Sequence, residues 1–191
     1  MPTRIIIAED EAIIRLDLRE TLEEAGYDVI RDVGRGDQAI DVVRELKPDV
    51  AIFDIKMPFM SGTDATRVIT REKICPVVIL TAFSQREVIE EARDAGALAY
   101  LVKPFQKADL VPAIELAIAR FAEMRALSGE VEALGAQLET RKLVDRAKGI
   151  LIDQHKMTEA DAFLFIQRAA MSERKKMGEI SEQIIAGTLK P

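Results

Sequence analysis

Val50-Ala-Ile-Phe-Asp54-Ile-Lys-Met-Pro58 is the stretch on which the fold of this chain turns. Four apolar residues end in a carboxylate, and a proline follows four positions later. An apolar run of that length, bounded by turn signals, predicts a strand buried on both faces of a sheet. Asp54 then stands at the strand's carboxyl end, where open parallel sheets place their ligands. Three other stretches repeat the design. Arg4-Ile-Ile-Ile-Ala8 leads into Glu9-Asp10-Glu11, Val77-Val-Ile-Leu80 into Thr81-Ala82, and Ala99-Tyr-Leu-Val102 into Lys103-Pro104. These strand ends bring acids, a hydroxyl and an ammonium to one rim.

Helical patterns separate the strands. Ile14, Leu18 and Leu22 share one face of a predicted helix over Glu11–Ala25 that stops at Gly26. Asp28-Val-Ile-Arg31 is a short, less apolar strand and is expected near a sheet edge. Ile40, Val43 and Leu46 mark a second helix, closed by Lys47-Pro48. Pro58 and Gly62 set a turn before a helix over Thr63–Arg71, and a further helix over Gln85–Ala95 closes at Gly96. This alternation, up to about residue 120, predicts an α/β fold: a flavodoxin-like, doubly wound sheet of five parallel strands with crossovers on both faces.

From Ala108 the pattern becomes helical and stays so. Met124, Leu127, Val131, Leu134 and Leu138 alternate three and four apart, a coiled-coil seam of about two heptads. Gly129 and Gly135 weaken it by roughly 1 kcal/mol each relative to alanine. The same residues also fit a single amphipathic helix lying on its own domain. Beyond the seam, Thr140–Asp153 carries Leu143, Ala147, Ile150 and Leu151 on one side. Thr158 and Asp161 form a capping-box pattern for a second helix, with Phe163, Ile166, Ala169 and Ala170 as its expected buried side. A third helix is expected over Glu173–Ala186, closed by Gly187. A small three-helix bundle of this size leans on the preceding helix for its core. The expected division is 1–120 for the α/β domain, 121–138 for the coiled-coil linker and 139–191 for the bundle.

Composition narrows the class. Hydrophobic content of 48% with 31% charged residues suits a soluble globular protein and excludes disorder. No apolar run approaches a membrane span, and Met1-Pro-Thr-Arg4 shows no secretory pattern, so a cytoplasmic location is expected. The single cysteine, Cys75, excludes an intramolecular disulfide framework and reads as a small hydrophobe before a buried strand. The net charge of −6 conceals a split. From Glu139 onward ten Lys/Arg face eight Asp/Glu, while the rest of the chain has seventeen against twenty-five. An acidic signalling or catalytic domain joined to a more basic output fits that split.

At the rim, Glu9, Asp10 and Asp54 would repel one another without a cation. Hard oxygen donors with open positions suit Mg²⁺, which keeps waters and pairs with phosphate substrates. Mg²⁺ would also keep Asp54 ionised, as a nucleophile on phosphorus must be. Thr81 and Lys103 stand at neighbouring strand ends and can spread the charge of the acyl phosphate so formed. An Asp-nucleophile phosphatase uses similar parts but carries an Asp-x-Asp pair, whereas Ile55 and Lys56 follow Asp54.

Taken together, Ala8-Glu9-Asp10-Glu11, Asp54-Ile-Lys-Met-Pro58 with Gly62, Thr81-Ala82 and Lys103-Pro104-Phe105 resemble the receiver domain of bacterial two-component response regulators, over roughly residues 3–120. The resemblance implies that Asp54 accepts a phosphoryl group from a sensor histidine kinase. It implies Mg²⁺ held by Asp10, Asp54 and the backbone carbonyl of Lys56, with Glu9 acting mainly through water. It implies a cis Lys103–Pro104 peptide and Tyr100 as an aromatic switch, turning inward once phosphate draws in the Thr81 hydroxyl. It implies no enzymatic activity beyond Mg²⁺-dependent self-phosphorylation and dephosphorylation. Glu9 departs from the more usual aspartate, and its longer side chain is expected to change local geometry, not function.

The C-terminal stretch carries a second resemblance. Ala147-Lys148-Gly149-Ile150-Leu151, Ala162-Phe163 and Arg168-Ala-Ala-Met171 resemble the ANTAR module, an RNA-binding antitermination domain, over about residues 135–188. Arg174 departs from it, standing where many members have asparagine. The implied ligand is a structured hairpin RNA. The cations Arg141, Arg146, Lys148, Arg168, Arg174, Lys175 and Lys176 read either as a solvated helix face or as a phosphate-facing surface. Gly149 inside a helix costs stability and points to close approach of another helix or of an RNA backbone. With Phe163 and Phe165 assigned to the core, polar groups and not base stacking are expected to read the loop. His155 has no second metal ligand nearby and reads as a surface residue. The whole reads as a phosphorylation-dependent antiterminator whose phosphorylated form pairs as a homodimer. A DNA-binding output built on a helix-turn-helix, or a protein-docking output, would share the same first domain.

Overall fold

The computed structural model of the chain describes residues 1–82 and 86–191, apart from the side chains of residues 132 and 133. In order it contains β1 (Arg4–Ala8), α1 (Ala12–Glu24), β2 (Asp28–Val33), α2 (Gly36–Leu46), β3 (Val50–Asp54) and α3 (Gly62–Arg71). There follow β4 (Val77–Thr81), α4 (Arg86–Asp94), β5 (Ala99–Val102), α5 (Lys107–His155), α6 (Glu159–Glu173) and α7 (Met177–Ile185). The expected start of the fourth helix at Gln85 lies outside the described residues.

All neighbouring strands are parallel, in the order β2-β1-β3-β4-β5. Every residue of β3 and β4 is buried, which is why both read as unbroken apolar runs. The more polar β2 lies at an edge, as its composition predicts, and runs on to Val33. Alternate residues of each strand feed opposite cores. Ile6, Ala8 and Phe53 pack with Val43 of α2, Ile69 of α3 and Ala92 of α4. Ile5, Ile7 and Ile52 pack with Leu18 and Leu22 of α1 and Ile114 of α5. A one-residue slip of β3 would exchange its two faces, so burial on both sides pins the register that delivers Asp54 to the rim.

The chain forms two compact units, Met1–Arg125 and Ala126–Pro191. The second has its own core, built by Val144, Ala147 and Leu151 of α5, Ala162, Ile166 and Ala170 of α6, and Ile180 and Ile184 of α7. Its first helix is not separate. α5 runs unbroken from Lys107 to His155, because Gly129 and Gly135 weaken a helix without interrupting its hydrogen bonds. Arg174 takes a left-handed conformation (φ 52°) that ends α6, so the expected helix start at Glu173 moves to Met177. Thr158 caps α6 by accepting the Asp161 N–H at 3.2 Å. The Asp161 carboxylate accepts a hydrogen bond from the Thr158 hydroxyl at 2.7 Å instead of returning to the backbone, so only half of the predicted capping box forms.

Two further expectations are corrected. Phe163 is 42% exposed, not core. Of the two alternatives for Gly149, the close approach of another helix is removed, because a Cβ there would meet nothing within 4 Å among the described residues. Met124, Leu127, Val131, Leu134 and Leu138 are all exposed, and none joins a described core.

Two predictions follow from the packing of the first unit. A Cβ at Gly62 would sit 2.0 Å from the Asp54 carbonyl oxygen. Gly62→Ala is therefore expected to lower stability by about 1–3 kcal/mol, read by urea denaturation. The Tyr27 hydroxyl donates to the Glu115 carboxylate at 3.0 Å, joining the chain before β2 to α5. Burial, aided by that bond, raises its pKa from 10.0 to about 12. The raised value means the unfolded chain loses the proton first, so this contribution is complete below pH 10 and fades as pH rises toward 12. Tyr27→Phe should flatten the decline in denaturation midpoint across that window.

Candidate functional site

β1, β3, β4 and β5 end at one edge of the sheet. Asp54 pairs in register with Leu80, and Thr81 with Val102. The Glu9 N–H donates to Val33 O at 3.0 Å and the Lys103 N–H to Thr81 O at 2.7 Å, fixing both residues just past their strands. The Lys103 ammonium then lies 2.6 Å from Glu9 Oε2 and 2.6 Å from Asp54 Oδ1. The other Asp54 oxygen accepts the Lys56 N–H at 2.7 Å. Glu9 Oε1 accepts the Glu11 N–H at 3.2 Å.

The electrostatics follow from burial. Glu9 is fully buried, and desolvation pushes its carboxyl above the ordinary range despite the hydrogen bond from Lys103. Burial also favours loss of the Lys103 proton, but hydrogen bonds to Asp54 and Glu9 outweigh it and hold the ammonium above its ordinary value. Asp10 lies exposed beside them, and carboxylate oxygens of Glu9, Asp10 and Asp54 fall within 4.8 Å of one another. Such a set of hard oxygen donors fits a divalent cation of the Mg²⁺ kind. A cavity of about 410 Å³ opens above, lined by Asp10, Asp54, Lys56, Thr81, Glu91 and Lys103 among others. Every residue expected at the rim is therefore brought together there. Tyr100 stands apart, 46% exposed on β5, where it lines a second cavity of about 400 Å³ with Ile89, Pro112 and Leu116. The Lys103–Pro104 peptide is cis.

Several residues of the site's surroundings carried no sequence signal. Arg15 of α1 donates to the carbonyl oxygen of Glu9 and pairs with Asp32 at 3.2 Å. Glu91 of α4 accepts the Thr63 hydroxyl at 2.9 Å, linking α4 to the start of α3 beside the cavity. Phe59, in the loop after β3, is left-handed (φ 67°), a conformation costing roughly 1–2 kcal/mol for such a side chain. The Arg35 guanidinium lies 3.6 Å from its ring centroid and offsets about 0.5–1 kcal/mol of that strain.

In the second unit the expected RNA-facing cations divide into two groups. Lys148 is shared between Asp145 and Glu159, each at 3.0 Å, and Lys175 pairs with Glu173 at 2.7 Å. Among the described residues Arg141, Arg146, Arg168, Arg174 and Lys176 have no such partner. His155 is exposed at the end of α5.

The family model for the response regulator receiver domain matches residues 5–115, and that for the ANTAR domain matches residues 132–185. The chain is 55% identical over 185 residues to the transcriptional regulatory protein PdtaR of Mycobacterium tuberculosis, covering 97% of this chain and 90% of the relative. It is 36% identical over 115 residues to the chemotaxis protein CheY of Thermotoga maritima, covering 60% of this chain and 96% of CheY. A LuxR-family two-component response regulator from Aurantimonas superposes with a TM-score of 0.59 at 28% identity, covering 66% of this chain and 99% of that structure. Among the described residues no helix is long and apolar enough to cross a membrane. With both models matched in tandem and a relative aligned along nearly its whole length, the chain belongs to the response regulators, as a receiver domain followed by an ANTAR domain.

Proposed function

We propose that the chain accepts a phosphoryl group on Asp54 from the phosphohistidine of a sensor kinase and uses it to control the binding of hairpin RNA in transcription antitermination. The observation that carries this reading is the Lys103 ammonium held between Glu9 and Asp54 at the edge of an open cavity. An Asp54 oxygen attacks phosphorus. The new P–O bond forms as the P–N bond breaks, and the imidazole nitrogen departs with the electron pair. Asp10, Asp54 and the Lys56 carbonyl would hold Mg²⁺, with Glu9 acting through water. That ion supplies charge neutralisation at the phosphoryl oxygens. Lys103 and Thr81 offer an ammonium and a hydroxyl to the same group.

The switch proposed is Tyr100, turning from its exposed position as Thr81 is drawn toward phosphate. Residues 1–120 act as receiver, 121–138 as linker and 139–191 as output. Phosphorylated receivers bring two copies of the exposed Met124–Leu138 seam together as a homodimer, so that two output units hold RNA at once. Arg141, Arg146, Arg168 and Arg174 reach phosphates directly, whereas Lys148 and Lys175 must first leave their carboxylates. Gly149 presents open backbone surface to the nucleic acid. Such a partnership belongs in the cytoplasm.

The test is hairpin binding by the full chain with and without a small phosphodonor plus Mg²⁺, with sedimentation alongside and Asp54→Ala as control. Affinity should tighten by on the order of 100-fold through avidity as the dimer appears, and both responses should vanish in the variant. Binding indifferent to the donor would overturn the coupling. A monomer at saturating RNA would overturn the pairing, and failure to bind hairpins in either state would overturn the RNA output.

A further inference from the structure

We infer that Arg15 is a positioning residue for the cation site. It holds the Glu9–Asp10 turn so that the Asp10 carboxylate stands beside Asp54, and it thereby sets the affinity for Mg²⁺. The inference rests on the reading of Glu9, Asp10 and Asp54 as a Mg²⁺ site, and it adds a residue that touches neither the ion nor the phosphoryl group.

The three carboxylates of the site are not held alike. Glu9 meets the Lys103 ammonium at 2.6 Å and the Glu11 N–H at 3.2 Å. Asp54 meets Lys103 at 2.6 Å and the Lys56 N–H at 2.7 Å. The Asp10 side chain is exposed and makes no hydrogen bond or ion pair with another described residue. Yet its oxygen lies within 4.8 Å of those of Glu9 and Asp54. Its place is therefore set by its backbone. That backbone runs between the end of β1 and the start of α1, where Glu11 makes no side-chain cap.

Arg15 supplies the missing hold. Helical side chains lean toward the N-terminus, so from the first turn of α1 its guanidinium reaches back over residues 9 and 10. Nη1 donates to the Glu9 carbonyl oxygen and, at 3.5 Å, to that of Asp10. These carbonyls belong to the two peptide planes that flank the Asp10 Cα. A peptide plane is rigid, so fixing both planes aims the Asp10 Cβ. The guanidinium is anchored in turn, because its Nε pairs with Asp32 at 3.2 Å. The second Asp32 oxygen takes Arg19 at 2.7 Å, and Arg19 also pairs with Glu23 at 2.9 Å. Gly34 leaves room for the arrangement, since a Cβ there would sit 3.2 Å from Arg15 Nη1. Ion pairs this near solvent add little to stability, so bracing the fold does not account for the row. A lysine ammonium could not serve both the carbonyls and Asp32 from fixed angles, as the guanidinium fork does.

The test is calorimetric titration of the full chain with MgCl₂, at a temperature well below the thermal midpoint of each variant. Arg15→Gln is expected to weaken Mg²⁺ binding by about 10- to 100-fold, the usual effect of losing a partner that orients a metal ligand. The sign separates position from charge, because removing a nearby cation would by charge alone tighten Mg²⁺ binding. Asp32→Asn, which frees Arg15 from its anchor, should weaken binding by less. The double variant should bind no worse than Arg15→Gln alone, since both changes release the same turn. Phosphorylation by a small donor should need correspondingly more Mg²⁺ for half its maximal rate in Arg15→Gln, with the rate at saturating Mg²⁺ near wild type. Unchanged or tighter Mg²⁺ binding by Arg15→Gln would overturn the inference while leaving the metal site intact. So would single losses that add in full in the double variant. If Arg15→Gln does not fold, wild-type affinity in Asp32→Asn overturns the inference by itself. Failure of wild type to bind Mg²⁺ would overturn the metal reading and this inference together.

Discussion

Two carboxylates out of water at one sheet edge require a cation, and in this chain the Lys103 ammonium is that cation. It lies 2.6 Å from both Glu9 and Asp54, and the rest of the receiver can be understood as the means of keeping it there. β3 is buried along its whole length, so its register cannot slip without exposing a core face. The Gly62 N–H donates to Ile55 O at 2.9 Å, closing the loop behind Asp54, and the lack of a side chain at Gly62 lets the Asp54 carbonyl approach. The bond from the Lys103 N–H to Thr81 O holds the ammonium's own strand end. The resulting charge balance is close. Lys103 meets Glu9 and Asp54, and the Asp10 carboxylate lies within 4.8 Å of both, a set of oxygen donors that suits a divalent ion.

The second unit obeys a different constraint. In α6, Ile166 and Phe165 pack in the core with Ala162 and Ala170, while Phe163 and Leu164 are each 42% exposed and Met171 is 75% exposed. Its cations are not equivalent either. Lys148 and Lys175 are neutralised inside the unit, whereas the unpaired arginines retain their full field for a polyanion. That surface combines the exposed Phe163 ring with arginines that have no carboxylate partner among the described residues.

The receiver was legible because parallel strands buried on both faces read as apolar runs, and each run here ends in its functional residue. Glu9, Asp10, Asp54, Thr81 and Lys103 could thus be placed from sequence. Arg15, Glu91 and the Arg35–Phe59 contact could not, since each depends on how elements distant in sequence approach one another. The helical pattern from Ala108 onward corresponds to one helix, because the change in hydrophobic pattern near Thr140 is not a change in backbone: α5 has no proline there and continues. Phe163 was misplaced for a related reason. Periodicity alone allows either Ala162 or Phe163 to face inward, and ranking by hydrophobicity selects the phenylalanine. The fold buries the alanine instead.

The most direct test of Asp54 as the phosphoryl acceptor is intact-mass and peptide mapping of the full chain after exposure to a small phosphodonor, with and without Mg²⁺. The expected result is the mass of one phosphoryl group, carried on the peptide containing Asp54, dependent on Mg²⁺ and absent from Asp54→Asn. Phosphoryl transfer that maps to another residue, or that proceeds equally without the metal, would contradict it.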